Sequence, residues 1–209
     1  MDFYYGHLSG NSARCAFALA ETGVTYDVHL LDTRAGENRT NAYLALNPMG
    51  KIPAFVDGQV TLWESNAINW YLAEKFPDAR LLPRSIEARA KVQRWLFFQA
   101  AHVSPACIPV FRAINAKVKE FWRPAIDERG TEAARKELQR YLPVLDLALA
   151  NRDWFEGEFS LADIANTPHL ALLADGGYDF SPFPRLGTWL ERVRQRPAWK
   201  KAERLVFGE

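Results

Sequence analysis

Only two cysteines, Cys15 and Cys107, occur in 209 residues. Two thiols cannot make a disulfide framework, and they suit a reducing compartment. Both stand among apolar residues in helical stretches, where a buried free thiol acts as a small apolar side chain. The four histidines, His7, His29, His102 and His169, are scattered, and no CxxC or HExxH spacing occurs, so no metal-ligand pattern is offered. A glycine-rich phosphate loop is missing too. No apolar run is long enough to span a bilayer. The opening MDFYYGHLSG lacks a basic segment followed by an apolar one, so no signal peptide is expected. A net charge of +1 carries no electrostatic footprint for nucleic acid. Repeats and low-complexity tracts are also missing. The expectation is a cytoplasmic protein with neither a membrane nor a nucleic-acid partner.

Hydrophobic residues make up 48% and charged residues 24%, an ordinary globular composition. Residues 1–76 carry a net −3 and the rest +4, both readable as solvated surface. Hydrophobic period divides the chain. DFYY (2–5) reads as a strand and SARCAFALAET (12–22) as a helix closed by Gly23. TYDVHL (25–30) alternates, with Tyr26, Val28 and Leu30 on one side. A polar stretch, DTRAGENRTN, leads to a short helical piece, AYLAL. IPAFVD and QVTLW form a hairpin at Asp57-Gly58, and a helix follows from Ser65 to about Phe76. The order βαβαββα predicts a thioredoxin-like α/β domain over 1–76. PDARLLPRS (77–85) reads as a linker, and residues 86–209 as an all-α domain.

Within that second region Val92, Trp95, Leu96, Gln99 and Val103 recur at helical spacing, as do Leu138, Tyr141, Leu142, Leu145 and Leu149. Pro105, Pro109, Pro143 and Pro168 fall in helical stretches and predict kinks or breaks. Ser160 and Asp163 read as a short capping box, a stability device of roughly 1 kcal/mol. Gly176-Gly177 ends that helix and Pro184 starts the next. Arg192, Arg194 and Arg196 read as a solvated face.

Three places can carry chemistry. Pro53, at the predicted start of a strand, marks either an edge position or a cis peptide after Ile52. A cis bond would turn the Ile52 N–H and C=O toward a peptide ligand, as in strand addition. Glu64 and Ser65 open a helix. They can simply cap it, or use the same free N–H groups and dipole to hold a carboxylate, with Glu64 on an ammonium. SGNSAR (9–14) sets Ser9, Asn11 and Ser12 at another helix start, as turn and cap or as donors to a bound thiolate. A drop of two units in a thiol pKa needs only about 2.7 kcal/mol. No G-x-S-x-G elbow supports a serine hydrolase.

Taken together, NPMGKIPAFVDGQVTLWESNAINWYLAEKF (47–76), SLADIA (160–165) and FPRLGTWLERVRQRPAWKKA (183–202) resemble the cytosolic glutathione transferase family over essentially the whole chain. The segment SGNSARCAFALAETGVTYDVHLLD resembles its serine-type members, theta and phi, and related bacterial enzymes. The resemblance implies a detoxification-type transferase with glutathione as co-substrate, no metal, and a homodimer. Ser9 would activate the thiol, with Asn11 or Ser12 sharing or taking the role. Tyr5 is the candidate in a tyrosine-type scheme, but its spacing to Arg14 is long. Ile52, helped by cis Pro53, would pair with the cysteinyl backbone. Glu64 and Ser65 would hold the γ-glutamyl end, and Asn38, Arg39 and Lys51 the glycine carboxylate. A hydrophobic electrophile would meet Leu8, Phe98, His102, Pro105 and Phe111 between the domains. Dehalogenase, ether-cleaving and peroxidase chemistry fit the same pattern. A cysteine-type thioltransferase does not, because Cys15 falls inside the first helix. The alternative is a non-catalytic binding or assembly module on the same fold.

Overall fold

The computed structural model describes residues 1–122 and 127–208. The chain divides into two compact units. One is residues 1–81 with 196–209, and the other is residues 82–195.

The first unit is built on a four-stranded sheet. β1 (Asp2–Tyr5) pairs parallel with β2 (Asp27–Leu30) and antiparallel with β3 (Ala54–Asp57), which pairs antiparallel with β4 (Val60–Trp63). The spatial order is β2-β1-β3-β4. Parallel β1 and β2 need a crossover, which α1 (Gly10–Thr22) supplies. Gly23, at φ 70, ends α1 as its sequence position predicts. After β2 come a 3₁₀ turn at Glu37–Arg39 and the one-turn α2 (Asn41–Leu44). The β3–β4 turn pivots on Gly58 at φ 60, and α3 (Ser65–Lys75) closes the unit. This is the expected βαβαββα order. Phe3, Phe17, Phe55, Ile68 and Leu72 are fully buried between sheet and helices. Each such side chain contributes about 1.5–3 kcal/mol.

Several expectations change in detail. Pro53 lies just ahead of β3, so it occupies no ladder position. β2 is an edge strand, and Val28 and Leu30 are each 47% exposed, so its apolar alternation does not mark a core face. Ser65 does not cap α3. Glu64 holds the cap position without a side-chain cap bond, and the Ser65 hydroxyl is engaged by Arg14 instead.

Residues 82–195 are helical. α4 (Ile86–Phe98) passes through a π turn at Gln99–Val103 into α5 (Ser104–Ile114), followed by α6 (Ala116–Trp122). α7 (Glu128–Ala148), α8 (Leu161–Asp175) and α9 (Pro184–Arg194) complete the unit. The widened turn falls just before Pro105, which lacks the N–H that a regular helix would use. Pro109, Pro143 and Pro168, by contrast, sit inside continuous helices. The periodic residues Val92, Trp95, Leu96, Gln99, Val103, Leu138, Leu142, Leu145 and Leu149 are buried. The Ser160–Asp163 capping box forms. The carboxylate of Asp163 also accepts from the Phe155 N–H at 3.2 Å and from Trp189 Nε1 at 2.8 Å.

The last helix, α10 (Pro197–Phe207), packs along α1. Its Trp199 ring is fully buried 5.4 Å from that of Phe17, and Arg196 makes a bidentate pair with Glu21 at 2.6 and 2.9 Å. The three arginines of the closing segment are therefore not a plain solvated face. Arg192 pairs with Asp153 at 2.9 Å and Arg194 with Asp175 at 2.6 Å. Opposite charges lie within reach of each guanidinium, and its bidentate geometry suits carboxylates.

Candidate functional site

The turn from β1 into α1 carries Ser9. Ser9 is extended and caps α1, its hydroxyl oxygen accepting from the Ser12 N–H at 3.1 Å. The Ser9 O–H proton is thereby left to point elsewhere, at the positive end of a 13-residue helix. Ser12 is different. It is fully buried, and its own hydroxyl accepts from the Gly6 N–H at 3.4 Å. Asn11 is half-buried in the first turn. Tyr5 is 6% exposed, its ring stacks 5.8 Å from Phe3, and burial pushes its phenol above the ordinary pKa. Burial likewise pushes the Cys15 thiol far up, against a smaller pull from Arg14, so this cysteine is no nucleophile.

Gly6 joins this turn to the next element. A Cβ at Gly6 would collide with Ile52 Cδ1, so glycine leaves room for the Ile52 side chain where it sits. The peptide between Ile52 and Pro53 is cis. Among the described residues no hydrogen bond engages the backbone N–H or C=O of Ile52. The loop before it is tied down by side chains. Tyr43 donates to the Lys51 carbonyl at 2.7 Å and Asn47 Nδ2 donates to the same oxygen at 2.5 Å. Asn38 Nδ2 donates to the Gly50 carbonyl at 2.6 Å, and Arg39 Nη1 to that of Met49 at 3.3 Å. Gly50 takes φ +58, and a Cβ there would stand 2.7 Å from Arg39 Nη1, so glycine serves both the turn and the approach. Lys51, on this loop, and Arg39, in the 3₁₀ turn that is bonded to it, are both exposed cations.

Glu64 and Ser65 form the third part. Glu64 is exposed at φ 68, ψ 109, a left-handed conformation that costs a non-glycine residue about 1–3 kcal/mol. Such an outlier between a strand and a helix is held by the surrounding structure. Ser65 is 6% exposed. Its hydroxyl accepts from Arg14 Nη1 at 3.0 Å and its carbonyl faces Cys15 Sγ at 3.5 Å. Asn69 Nδ2 donates to the Arg14 carbonyl at 3.3 Å, so α1 and α3 are knitted at this junction.

The structure thus gathers Ser9, Ile52, Pro53, Asn38, Arg39, Lys51, Glu64 and Ser65 into one unit, around Gly6, the 47–53 loop and the Arg14–Ser65 bond. Sequence reasoning passed over Arg14, Tyr43, Asn47 and Asn69, which hold these groups. Asn47-Pro48 is a turn signal visible in the sequence. The Arg14–Ser65 bond spans 51 positions and leaves none.

The second-substrate candidates lie as follows. Leu8, in the first unit, is half-buried at φ 56. In the helical unit, the Phe98 ring lies 5.4 Å from His102 and 5.8 Å from Tyr141, with His102 exposed. Pro105 is exposed in the first turn of α5. Phe111 is 3% exposed and stacked on His169 at 5.6 Å. A cavity of about 390 Å³ is lined by Trp95, Phe98, Leu147 and Phe155, with Arg94 and Arg152 also lining it.

Comparison with known proteins sets this geometry in a family. Residues 3–74 match the glutathione S-transferase N-terminal domain, and residues 101–197 match the glutathione S-transferase C-terminal domain. The chain is 32% identical over 206 residues to glutathione S-transferase F10 of Arabidopsis thaliana, covering 94% of each chain. It is 31% identical over 196 residues to glutathione S-transferase GstB of Escherichia coli K12, covering 92% of each. A solved glutathione S-transferase-I bound with the ligand lactoylglutathione superposes with a TM-score of 0.87 at 26% identity, covering 98% of this chain and 99% of that one. Both domains are matched in order, the alignments run nearly end to end, and the chain belongs to the glutathione S-transferase family.

Proposed function

We propose that this protein is a serine-type glutathione transferase in which Ser9 holds the glutathione thiol as a thiolate. One observation carries the assignment to Ser9. Its oxygen already accepts the Ser12 N–H, so its proton is the free donor at the head of α1. A hydrogen bond to an ionised sulfur is charge-assisted, and the helix dipole adds to it. Ser12 is disfavoured by its full burial against Gly6, and Tyr5 by its place in the core.

The remaining groups orient the tripeptide. The free N–H and C=O of Ile52 suit the cysteinyl backbone. Ser65 and the exposed Glu64 suit the γ-glutamyl carboxylate and ammonium. Asn38, through its amide, already steadies the loop, and Arg39 and Lys51 suit the glycine carboxylate. Fixing the nucleophile in place and ionising it are the two contributions of the site. The thiol proton passes to solvent. The sulfur lone pair then forms a C–S bond to an electrophilic carbon, and in a substitution the leaving group departs with its bonding pair.

Leu8, Phe98, His102 and Pro105 are proposed contacts for the hydrophobic electrophile. The Phe111 ring is occupied by His169 inside the helical unit. A homodimer is supported by exposed apolar side chains. These are Val60 and Trp63 on β4, and Ile86 and Phe97 on α4, with Phe97 67% exposed. A cytoplasmic location suits two buried cysteines that form no disulfide. Among the described residues no helix is long and apolar enough to cross a membrane.

An ultraviolet pH titration of glutathione bound to the protein follows the thiolate directly. The expected result is a bound thiol pKa well below that of free glutathione, restored toward the free value by Ser9→Ala. A low pKa unchanged in that variant would move the role to another group. No saturable binding would leave a binding module.

A further inference from the structure

The turn that carries Ser9 is held from the far end of the chain. The carbonyl of Val206, in the last turn of α10, accepts the Leu8 N–H at 3.0 Å and lies 3.4 Å from His7 Nδ1. Leu8 directly precedes Ser9 and has φ +56, a region that bulky residues avoid. A leucine stays there only where its surroundings fix it. α10 is well placed to do so. Val206 is fully buried, Trp199 is packed on Phe17, and Arg196 grips Glu21 at the opposite end of α1. The helix is thus a brace fastened to both ends of α1.

We propose that the Val206 carbonyl is a positioning group for the thiol-activating turn, holding Leu8 in its left-handed conformation so that the Ser9 hydroxyl meets the bound sulfur. This rests on the assignment of thiol activation to Ser9. Without the clamp, Leu8 relaxes to negative φ and the direction of the following residue changes with it. The fold of the unit does not depend on that single bond, but the aim of Ser9 does.

The test is the titration of the bound thiol, with glutathione alone, in full-length Phe207→Pro, Phe207→Ala and Ser9→Ala chains. Proline at 207 drives Val206 out of the helical region and swings its carbonyl away. Alanine at 207 removes the ring and leaves the carbonyl in place. Phe207→Pro is expected to raise the thiol pKa by about one unit, a tenfold loss of thiolate, with the Kd for glutathione moving less than about threefold. Phe207→Ala is expected to titrate like the wild type. Adding Leu8→Gly to Phe207→Pro is expected to restore most of the shift, because glycine takes positive φ unaided. General loosening of the packing would not be recovered that way.

Circular dichroism checks that each chain is folded. If Phe207→Pro is not, a chain ending at Leu205 is read in its place, with and without Leu8→Gly. A folded variant that titrates like the wild type overturns the proposal, as does a raised pKa that Leu8→Gly leaves untouched. Failure of both chains to fold would make the segment a packing element only, which also overturns it. Ser9→Ala separates the two readings. If it leaves the pKa unchanged, the Ser9 assignment fails by itself and the clamp falls with it. If it raises the pKa while Phe207→Pro does not, only the clamp fails.

Discussion

Arg14 and Ser65 stand 51 positions apart and are joined by a 3.0 Å hydrogen bond from a buried guanidinium to a buried hydroxyl. The oxygen of Ser65 accepts, so its proton is turned away from Arg14 and toward whatever lies at the head of α3. Hydrogen bonds to charged groups contribute about 1.5–3 kcal/mol. Arg14→Met keeps much of the volume and removes the donor. It is expected to raise the glutathione Kd by about tenfold, as is Ser65→Ala, while the double variant loses little more than either alone. Calorimetric titration of the three chains measures this. Fully additive losses would show that Arg14 acts on binding by another route.

Ser9 serves two ends that substitution can separate. As the cap of α1 it stabilises the helix by roughly 1 kcal/mol. As a thiolate donor it is expected to set the rate. Ser9→Ala should lose both, with kcat/KM falling about 10- to 100-fold below neutral pH, where free thiol dominates. Ser9→Thr keeps a hydroxyl and should keep most of the rate. Ser12→Ala removes only a buried bond to Gly6, so it should lower the melting temperature and leave the pH profile of kcat/KM unmoved. A shifted profile in Ser12→Ala would transfer the donor role.

The division between legible and illegible features follows the range of the forces involved. Periodicity gave the strand and helix order where an element buries one face, as Phe3, Phe55 and Leu72 do here, whereas β2 shows the alternation with its apolar residues exposed. Local punctuation worked as well. Gly23, Gly58 and the Ser160–Asp163 box act within a few residues of themselves. The groups that aim the site are distant in sequence, as with Arg14 on Ser65 and Val206 on Leu8, and a single chain leaves no spacing that marks them. The same holds for α10. Its amphipathic pattern announces a helix but cannot say that its apolar face lies on α1. Ser65 shows the opposite failure. A serine at a helix start reads as a cap, yet a buried arginine took its hydroxyl.

Lys51 is an exposed cation on a loop fixed by Tyr43, Asn47 and Asn38, and Arg39 is another on the 3₁₀ turn bonded to that loop. An exposed ion pair is worth only about 0.2–1 kcal/mol, and salt screens it. Lys51→Gln and Arg39→Gln are therefore each expected to weaken glutathione binding by about two- to fivefold at low salt, and by less as salt rises. Neither should shift the bound thiol pKa if, as proposed, their charges act on the far carboxylate. Binding isotherms at two ionic strengths check the first point. A salt-independent loss would mean that the loop itself had moved.

Asp163 offers a stability test that is independent of the site. Its carboxyl is fully buried, and burial pushes its pKa up to about 7, against the pull of the Trp189, Phe155 and Ser160 donors. The unfolded chain returns it to about 4. Between those values the folded protein binds more protons than the unfolded one, so this group's stabilisation is whole below pH 4 and is lost as pH rises to 7. Other groups titrate in the same window, so the comparison is with Asp163→Asn, which keeps the size and has no proton to exchange. The wild type's margin over Asp163→Asn in denaturant midpoint should be greatest near pH 4, shrink toward pH 7 and stay flat beyond. A margin that instead grows with pH would mean that the three donors outweigh burial and hold the carboxylate ionised throughout.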